Sequence, residues 1–477
     1  MIGWILLALV VLLAAVLLLR TLAFRPRKEE LPAVTPAEVD GDAVLNHLAE
    51  MIRCKTVSYY DKSLEDEGEF EKFRALLKTL YPAVHKACTL DRVGPSGLLY
   101  KWKGRSDKEP TVFMAHYDVV PVERELWEKD PFAGIIEDDV LWGRGTLDTK
   151  GTLCGVMESA EALLQQGYVP ENDIYFAFAG DEEVAGLSAP AIVEELRKRG
   201  IVPALVVDEG GAVVENVFPG VTRPTAVVGT AEKGMTTVEF LLEGQGGHAS
   251  APPVKTPVGM LAKAVCTVEK KPFRFQITKP VAEMFDTLGR HSNFLFRMIF
   301  ANLWLFKPVL NLICRISGGE LNALMRTTVA FTQMEGSKAT NVIPPVARIR
   351  ANLRLCGQDT VDSAVAYLQQ VIGEEKIRVH AIEGSNPSAV STTDCEGWKK
   401  LKNAINQTWP EALVSPYLMM ACSDSRHYST LTDKVYRFSA MALSKEERGM
   451  IHGNNERVPA GTMVKTVQFY LRLMGQC

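Results

Sequence analysis

Three short apolar runs, each closed by acidic or imidazole side chains and separated by helix-patterned stretches, confine this chain to a narrow set of folds. They are TVFMA (residues 111–115), IYFAFA (174–179) and ALVVD (204–208). Between the first two, Leu153, Val156, Met157, Ala160, Leu163 and Leu164 recur at helical spacing and Gly167 stops the pattern. APAIVEELRKRG, between the second and third, is again helical. Strands flanked by helices on both sides predict an α/β fold with a doubly wound, mainly parallel sheet.

Near Gly229 the pattern changes. TTVEFLLEG reads as a strand, PVGMLAKAVCTVEKK as a helix, and LMRTTVAFTQMEG and VARIRANLRL as two strands. DTVDSAVAYLQQVIG then reads as a helix and IRVHAIEG as a strand. The order β-α-β-β-α-β predicts a small ferredoxin-like unit inserted into the larger one. The α/β pattern resumes after about Asn386, with helix CEGWKKLKNAINQ, strand KVYRF and a last helix through residues 464–474. The expected divisions are 2–19, an apolar anchor; 20–38, a linker; 39–228 and 387–477, the two parts of the larger domain; and 229–386, the insertion.

The anchor rests on residues 2–19, IGWILLALVVLLAAVLLL, which carry no charge. Eighteen residues at helical rise span about 27 Å, close to a bilayer core. A cleaved signal peptide would have a basic start and a small-residue cleavage site, and neither is present. Arg20, Arg25, Arg27 and Lys28 follow the run, so the positive-inside rule places the rest of the chain on the cytoplasmic side of a single-pass membrane protein. The nine cysteines include no CxxC pair and are odd in number. They read as thiols of a reducing compartment, with one or two structural bridges as the lesser reading. The net charge of −4 and the lack of a basic run argue against a nucleic-acid partner.

The chemistry gathers where strands end. His116 and Asp118 follow the first run; Asp181, Glu182 and Glu183 follow the second; Asp208 and Glu209 close the third. Asp148 opens a helix after a glycine-rich turn, and His452 lies in a late loop. Singly each has a bland reading: a hydrogen-bonded pair, a solvated loop, an N-cap, a surface histidine. Together they occupy strand ends that share one crevice, where uncompensated carboxylates would repel. A pair of divalent metal ions is the natural compensation. Oxygen and imidazole ligands without cysteine suit zinc, with cobalt or manganese as alternatives. A neighbouring carboxylate that binds no metal could act as general base.

AHYDVVPV, LWGRGTLDTKG, FAGDEEVAG, VVDEGG, GGHAS, NVIPP and the late IHG resemble, in order and spacing, the dinuclear zinc family of glutamate carboxypeptidase, aminoacylase and succinyl-diaminopimelate desuccinylase. VVPVE, VVDEGGAV and NALMRTTVAF…NVIPPVA narrow the resemblance to the branch of the vacuolar Gly-X carboxypeptidase and the N-fatty-acyl-amino-acid synthase/hydrolase. The resemblance runs from about Val39 to the C-terminus. It implies that Asp148 bridges two metal ions, that His116 and Asp208 complete one site, and that Glu183 and His452 complete the other. It further implies Glu182 as general base and Asp118 as the residue holding the His116 ring. The insertion would be a lid and dimerisation domain. Its His248 would polarise the scissile carbonyl, across a subunit boundary in dimeric members, and Asn341 and Arg354 would hold a substrate carboxylate. A strand-edge ion pair is the competing role for Arg354. The sequence departs from the branch at CSDSRHYS, where Ser423 replaces a frequent Thr, and Asp424, Arg426 and His427 receive no role.

The expected activity is hydrolysis of an amide next to a free carboxylate, in a carboxypeptidase or N-acyl-amino-acid hydrolase. The alternatives are a dipeptidase or other exopeptidase on short peptides, and a membrane-tethered binding protein without turnover. Residues 293–316, NFLFRMIFANLWLFKPVLNLICRI, are too interrupted by Arg297, Lys307 and Pro308 for a second span. They read as a helical insertion that packs on the lid or a dimer contact. The competing readings are an acyl-chain wall including Phe300 and Trp304, or a surface dipping into the bilayer.

Overall fold

The computed structural model describes residues 1–27 and 31–477. Lys28, one of the basic residues flanking the apolar run, lies outside the described residues. The strands used below are β1 (Thr89–Val93), β2 (Gly97–Trp102), β3 (Ser106–His116), β4 (Asn172–Ala179), β5 (Leu205–Val214), β6 (Thr225–Glu232), β7 (Gly234–Glu243), β8 (Thr328–Glu335), β9 (Val346–Leu355), β10 (Ile377–Ser385), β11 (Leu413–Met419) and β12 (Val435–Ala442). The helices are α1 (Ile2–Ala23), α2 (Lys150–Gln165), α3 (Pro257–Lys270), α4 (Lys279–His291), α5 (Phe294–Ala301), α6 (Leu303–Ser317), α7 (Val361–Ile372) and α8 (Ala460–Met474).

Eight strands form the large sheet in the order β1-β2-β4-β3-β5-β12-β6-β11. The centre, β4-β3-β5-β12, is parallel, as the alternation of strands and helices requires. The flanks make the sheet mixed rather than mainly parallel. On one side the β1–β2 hairpin turns at Gly94 (φ +68°) and adds two antiparallel pairings. On the other, β6 meets both β12 and β5 antiparallel and then pairs parallel with β11. Every residue of β4 is buried, the burial expected of a strand covered on both faces. Helices α2 and α8 pack together on one face, with Leu153, Val156, Met157, Phe469 and Tyr470 in the core.

A second, four-stranded sheet runs antiparallel in the order β8-β9-β7-β10. With α3 and α7 it has the chain order β-α-β-β-α-β. Its core of Val238, Phe240, Leu261, Ile349, Leu353 and Leu368 is separate from that of the large sheet. α4, α5, α6 and the helix Gly319–Met325 intervene between α3 and β8 and carry a third cluster around Phe218, Phe285 and Phe300. Phe300 stacks within that cluster, 4.7 Å from Phe218 and 5.0 Å from Phe285, whereas Trp304 is 56 % exposed.

α1 continues through Arg20 to Ala23, four residues past the apolar run. It is long and apolar enough to cross a membrane, with mean hydropathy 3.1 over its most apolar window. The residues just after it pack on the protein. Arg27 pairs with Asp286 of α4, and Arg290 lies over the Phe24 ring. Thr35 and Ala37, further on, hydrogen-bond to Gln407, Arg472 and Gln468. All nine cysteines are free thiols.

Candidate metal centre

His116 ends β3, and the acids that meet its Nε2 come from the turn before α2 and from the middle of the neighbouring strand β5. Its Nε2 lies 2.9 Å from Asp148 Oδ1 and 3.4 Å from Glu209 Oε1. Its Nδ1 faces the Asp118 carbonyl oxygen at 3.0 Å and Asp118 Oδ1 at 3.3 Å. Nδ1 is thus held by Asp118, and Nε2 is presented to the acids of the crevice. His452 Nε2 sits 3.1 Å from Asp148 Oδ2 and 3.0 Å from Glu183 Oε2. Asp148 therefore turns one oxygen to each histidine. Ligand atoms of His116, Asp148 and Glu183 fall within 4.8 Å of one another, and so do those of His116, Glu182 and Glu209.

Asp148 is free for this because it does not cap α2. The cap is Thr149, which makes no side-chain cap bond, and the Asp148–Thr149 peptide is cis. The loop before it is held by Glu456, a fully buried acid absent from the sequence expectations. Glu456 accepts from Gly145 N (3.0 Å), Leu147 N (2.7 Å) and Asp148 N (3.2 Å), and pairs with Arg144 at 2.7 Å. Asp118 is equally buried. It accepts from Ser58 Oγ at 2.7 Å and from the backbone N–H groups of Glu182 and Glu183 at 3.2 and 3.1 Å. One carboxylate thus ties the His116 ring to the turn that carries both glutamates.

Asp208 is expected beside His116; of the two adjacent acids it is Glu209 that pairs directly with His116 Nε2, while the Asp208 charge also acts on the His116 ring. Asp208 Oδ2 accepts from Ser425 N at 3.0 Å. The cause is a bulge: opposite β12, Arg437 pairs with Asp208 but Phe438 pairs with Gly211, which leaves Glu209 and Gly210 without partners. A bulge re-aims side chains that strict alternation would send to opposite faces. Both glycines of the stretch are required. Gly210 has φ +143°, and a Cβ on Gly211 would collide with the Val227 carbonyl oxygen. The loop facing Asp208 is held by a buried pair, Arg437 and Glu232, 2.6 Å apart. Glu232 also accepts from Ser423 N (2.9 Å) and Ser425 Oγ (3.1 Å). Asp424, between those serines, is buried under the site.

The electrostatics are those of a centre short of positive charge. Burial pushes Glu182 well above the carboxylate range, with the charges of Asp424, Glu209 and Glu183 adding to the rise. Glu209 is pushed up to about 8 by burial and by the Asp148 charge. Burial would raise Asp148 too, but hydrogen bonds from His116 and His452 hold it low. His452 is drawn up to about 10 by its bonds to Asp148 and Glu183. Burial pushes His116 down, yet Glu209, Asp118 and Asp148 together hold it well above the usual imidazole value. A donor set of two imidazoles and several converging carboxylates, with no thiolate, fits divalent ions of the zinc type.

The three residues expected on the substrate side, His248, Asn341 and Arg354, are not among the grouped donor atoms. His248 is exposed, with Nδ1 2.7 Å from Ser250 Oγ, and pairs with Val342. Asn341 is beside it, its carbonyl accepting from Ala249 N at 3.0 Å. Arg354, at the end of β9, donates to Asn352 Oδ1 at 3.2 Å and lies 3.9 Å from Cys422 Sγ, next to the Ser423–Ser425 loop. The strand ion pairs are made instead by its neighbours Arg348 and Arg350, both to Glu239. A cavity of about 210 Å³ is lined by residues that include chain neighbours of the cluster. Gly210 and Ile451, adjacent to Glu209 and His452, line one end of it, and Met284, Leu324, Tyr417 and Leu443 line the rest.

Residues 112–476 match the profile of peptidase family M20/M25/M40. The N-fatty-acyl-amino acid synthase/hydrolase PM20D1 of Xenopus tropicalis is 35 % identical over 477 aligned residues, covering 97 % of this chain and 92 % of its own. A probable carboxypeptidase S-like 2 of Dictyostelium discoideum is 33 % identical, covering 96 % and 91 %. Among solved structures, an M20 family metallo-carboxypeptidase of Sulfolobus solfataricus has the same fold, with TM-score 0.64 at 18 % identity, covering 91 % of this chain and 98 % of its own. The chain is a member of peptidase family M20/M25/M40, a family of hydrolases.

Proposed function

We propose that this protein hydrolyses the amide bond of N-acyl amino acids, with a long acyl chain and a free carboxylate on the substrate. The observation that carries it is the convergence of His116, Asp148, Glu183, Glu209 and His452 around one crevice with Glu182 beside them. His116 and Glu209 would hold one divalent ion and Glu183 and His452 a second, with Asp148 shared. Zinc is the proposed metal, with cobalt or manganese as substitutes. Bound there, such ions supply Lewis acidity and water of lowered pKa. Glu182, whose carboxyl burial raises well above the usual carboxylate range, would take the proton of the attacking water and return it to the leaving nitrogen. Asp118 fixes the His116 tautomer and the Glu182–Glu183 turn together.

The cavity lined by Gly210, Ile451 and Leu324 supports the acyl class: Gly210 and Ile451 are the chain neighbours of Glu209 and His452, and the lining is chiefly apolar, with Glu320 and Arg448 its charged members. Each buried CH₂ contributes roughly 0.8 kcal/mol, so a long chain supplies much of the binding energy. Residues 229–386 would form the lid, with boundaries 39–228 and 387–477 for the catalytic domain. Arg354 and Asn341 would bind the carboxylate, Arg354 as a bidentate fork. His248, exposed and paired with Val342, would act on the carbonyl of a partner subunit in a homodimer. α1 would anchor the protein, with the catalytic domain on the cytoplasmic side. The carboxypeptidase S-like relative gives a second reading, an exopeptidase on short peptides.

The test is a hydrolysis screen of dipeptides against N-acyl glycines of increasing chain length. We expect kcat/KM to rise with acyl length, and Met284→Trp to flatten the rise while sparing short substrates. Faster turnover of dipeptides, with no dependence on acyl length, would leave the exopeptidase reading in its place.

A further inference from the structure

We infer that the outer face of α5 and α6 is a bilayer-docking surface, seated in the headgroup–acyl boundary of the leaflet where α1 ends. This rests on the reading that α1 crosses the membrane. The two helices together are apolar enough to pass for a span but are bent by 109° at Asn302. So sharp a bend prevents them from crossing as one rod and leaves them lying along a surface. Phe300, Ala301, Leu310 and Cys314 face inward and are buried. Leu295, Trp304, Val309, Leu312, Ile313 and Ile316 face outward and are exposed, Ile316 by 79 %. A contiguous apolar face of this kind marks a docking surface rather than ordinary solvent contact.

Its depth is set by contacts with α1. Arg20 donates from Nε and a terminal guanidinium nitrogen to the Ala301 carbonyl at 3.2 and 3.0 Å. Asn302 Nδ2 reaches the Leu17 carbonyl at 3.3 Å and Thr21 Oγ1 at 3.4 Å. The elbow therefore sits against Leu17–Thr21, where the uncharged run gives way to Arg20. Four residues of helix rise about 6 Å, so the elbow lies within a single turn of the membrane boundary. An exposed Trp at that level is what an interfacial helix places there.

The charges choose the occupant. From Phe294 to Ser317 there are three basic residues, Arg297, Lys307 and Arg315, and no acid. These cations flank the apolar face, Lys307 over the Phe275 ring and Arg297 over Phe294, and a two-fold contact between copies would gather them in one seam. Lipid supplies both hydrocarbon for the apolar side chains and anionic headgroups for the cations. α6 leads directly into Gly319–Met325, whose Leu324 lines the proposed acyl cavity, so the docked surface adjoins that cavity.

The test uses the full chain reconstituted into phosphatidylcholine–phosphatidylglycerol vesicles with brominated acyl chains, which quench nearby tryptophan. Trp4 reports on α1 and Trp304 on the docking face. We expect Trp4→Phe and Trp304→Phe each to remove about half of the bromolipid-sensitive quenching, and Leu312→Glu with Ile316→Glu to abolish the Trp304 share. Quenching that persists unchanged in Trp304→Phe but falls in Trp4→Phe overturns the docking surface while leaving the anchor intact. Loss of both shares overturns the anchor and the docking surface together. A detergent-solubilised dimer that Trp304→Glu converts to monomer, with no lipid quenching of Trp304, assigns the face to a second copy and overturns the proposal. None of these outcomes depends on turnover, so the hydrolase reading stands or falls separately.

Discussion

Glu209 and Asp208 are adjacent acids of similar chemistry, and Glu209 is the one that pairs with His116 Nε2, at 3.4 Å. The bulge at Glu209–Gly210 aims Glu209 into the crevice and leaves Asp208 to the Ser425 N–H. Glu209→Gln should therefore lower bound divalent metal from about two ions per chain toward one and cut activity by at least about 10²-fold, whereas Asp208→Asn should keep both ions. Metal analysis of the two variants decides this, and the reverse pattern would restore Asp208 as the ligand. Glu182 makes a second residue-scale prediction. Glu182→Gln should retain metal and fold but lose about 10²–10⁴-fold in kcat, the usual worth of a general base. Near-wild-type kcat in that variant would remove the role.

At the scale of elements, α2 meets the helix Gly41–Ile52 through a partly buried pair, His47 Nδ1 to Glu158 Oε1 at 2.6 Å. The Glu158 hydrogen bond raises the His47 pKa even though burial opposes it. A raised folded-state value stabilises the protein below the ordinary imidazole pKa, and that contribution fades as pH climbs through the folded value. The wild type should thus exceed His47→Gln in thermal stability near pH 6, and the margin should shrink by pH 9. Because the ring is partly exposed, solvent screening keeps the margin below about 1 kcal/mol. Calorimetry across that range checks it; a margin that grows with pH would contradict the assignment.

For the whole molecule, the crevice concentrates Asp148, Glu182, Glu183 and Glu209 where burial penalises their charge. Divalent ions relieve that strain in the folded state alone, so their removal should cost stability as well as activity. With free metal at one hundred times the dissociation constant, the linkage is worth about 2.7 kcal/mol. Chelation should lower the melting temperature of the full chain reversibly, and zinc should restore both melting and turnover. An unchanged melting temperature after verified metal loss would place the ions outside the folding balance.

The order of apolar runs and helical stretches was enough to determine the α/β class and the β-α-β-β-α-β order of the second sheet, because periodicity is written locally along the chain. It also brought His116, Asp148, Glu182, Glu183 and His452 forward as one group, since strand ends of a parallel sheet share an edge. Tertiary structure decided the rest. The directions taken by Asp208 and Glu209 depend on a bulge in the pairing with β12, more than two hundred residues away in the chain. Glu456 and the Glu232–Arg437 pair hold the loops around the site, yet in sequence they are isolated charges with no periodic signature. The hairpin β1–β2 and the antiparallel placing of β6 make the sheet mixed, which no local pattern encodes. Phe300 and Trp304 lie four residues apart in one apolar stretch, and only the bend between α5 and α6 sends one into the core and the other outward. Local sequence fixes which side chains are available; long-range pairing fixes which way they point.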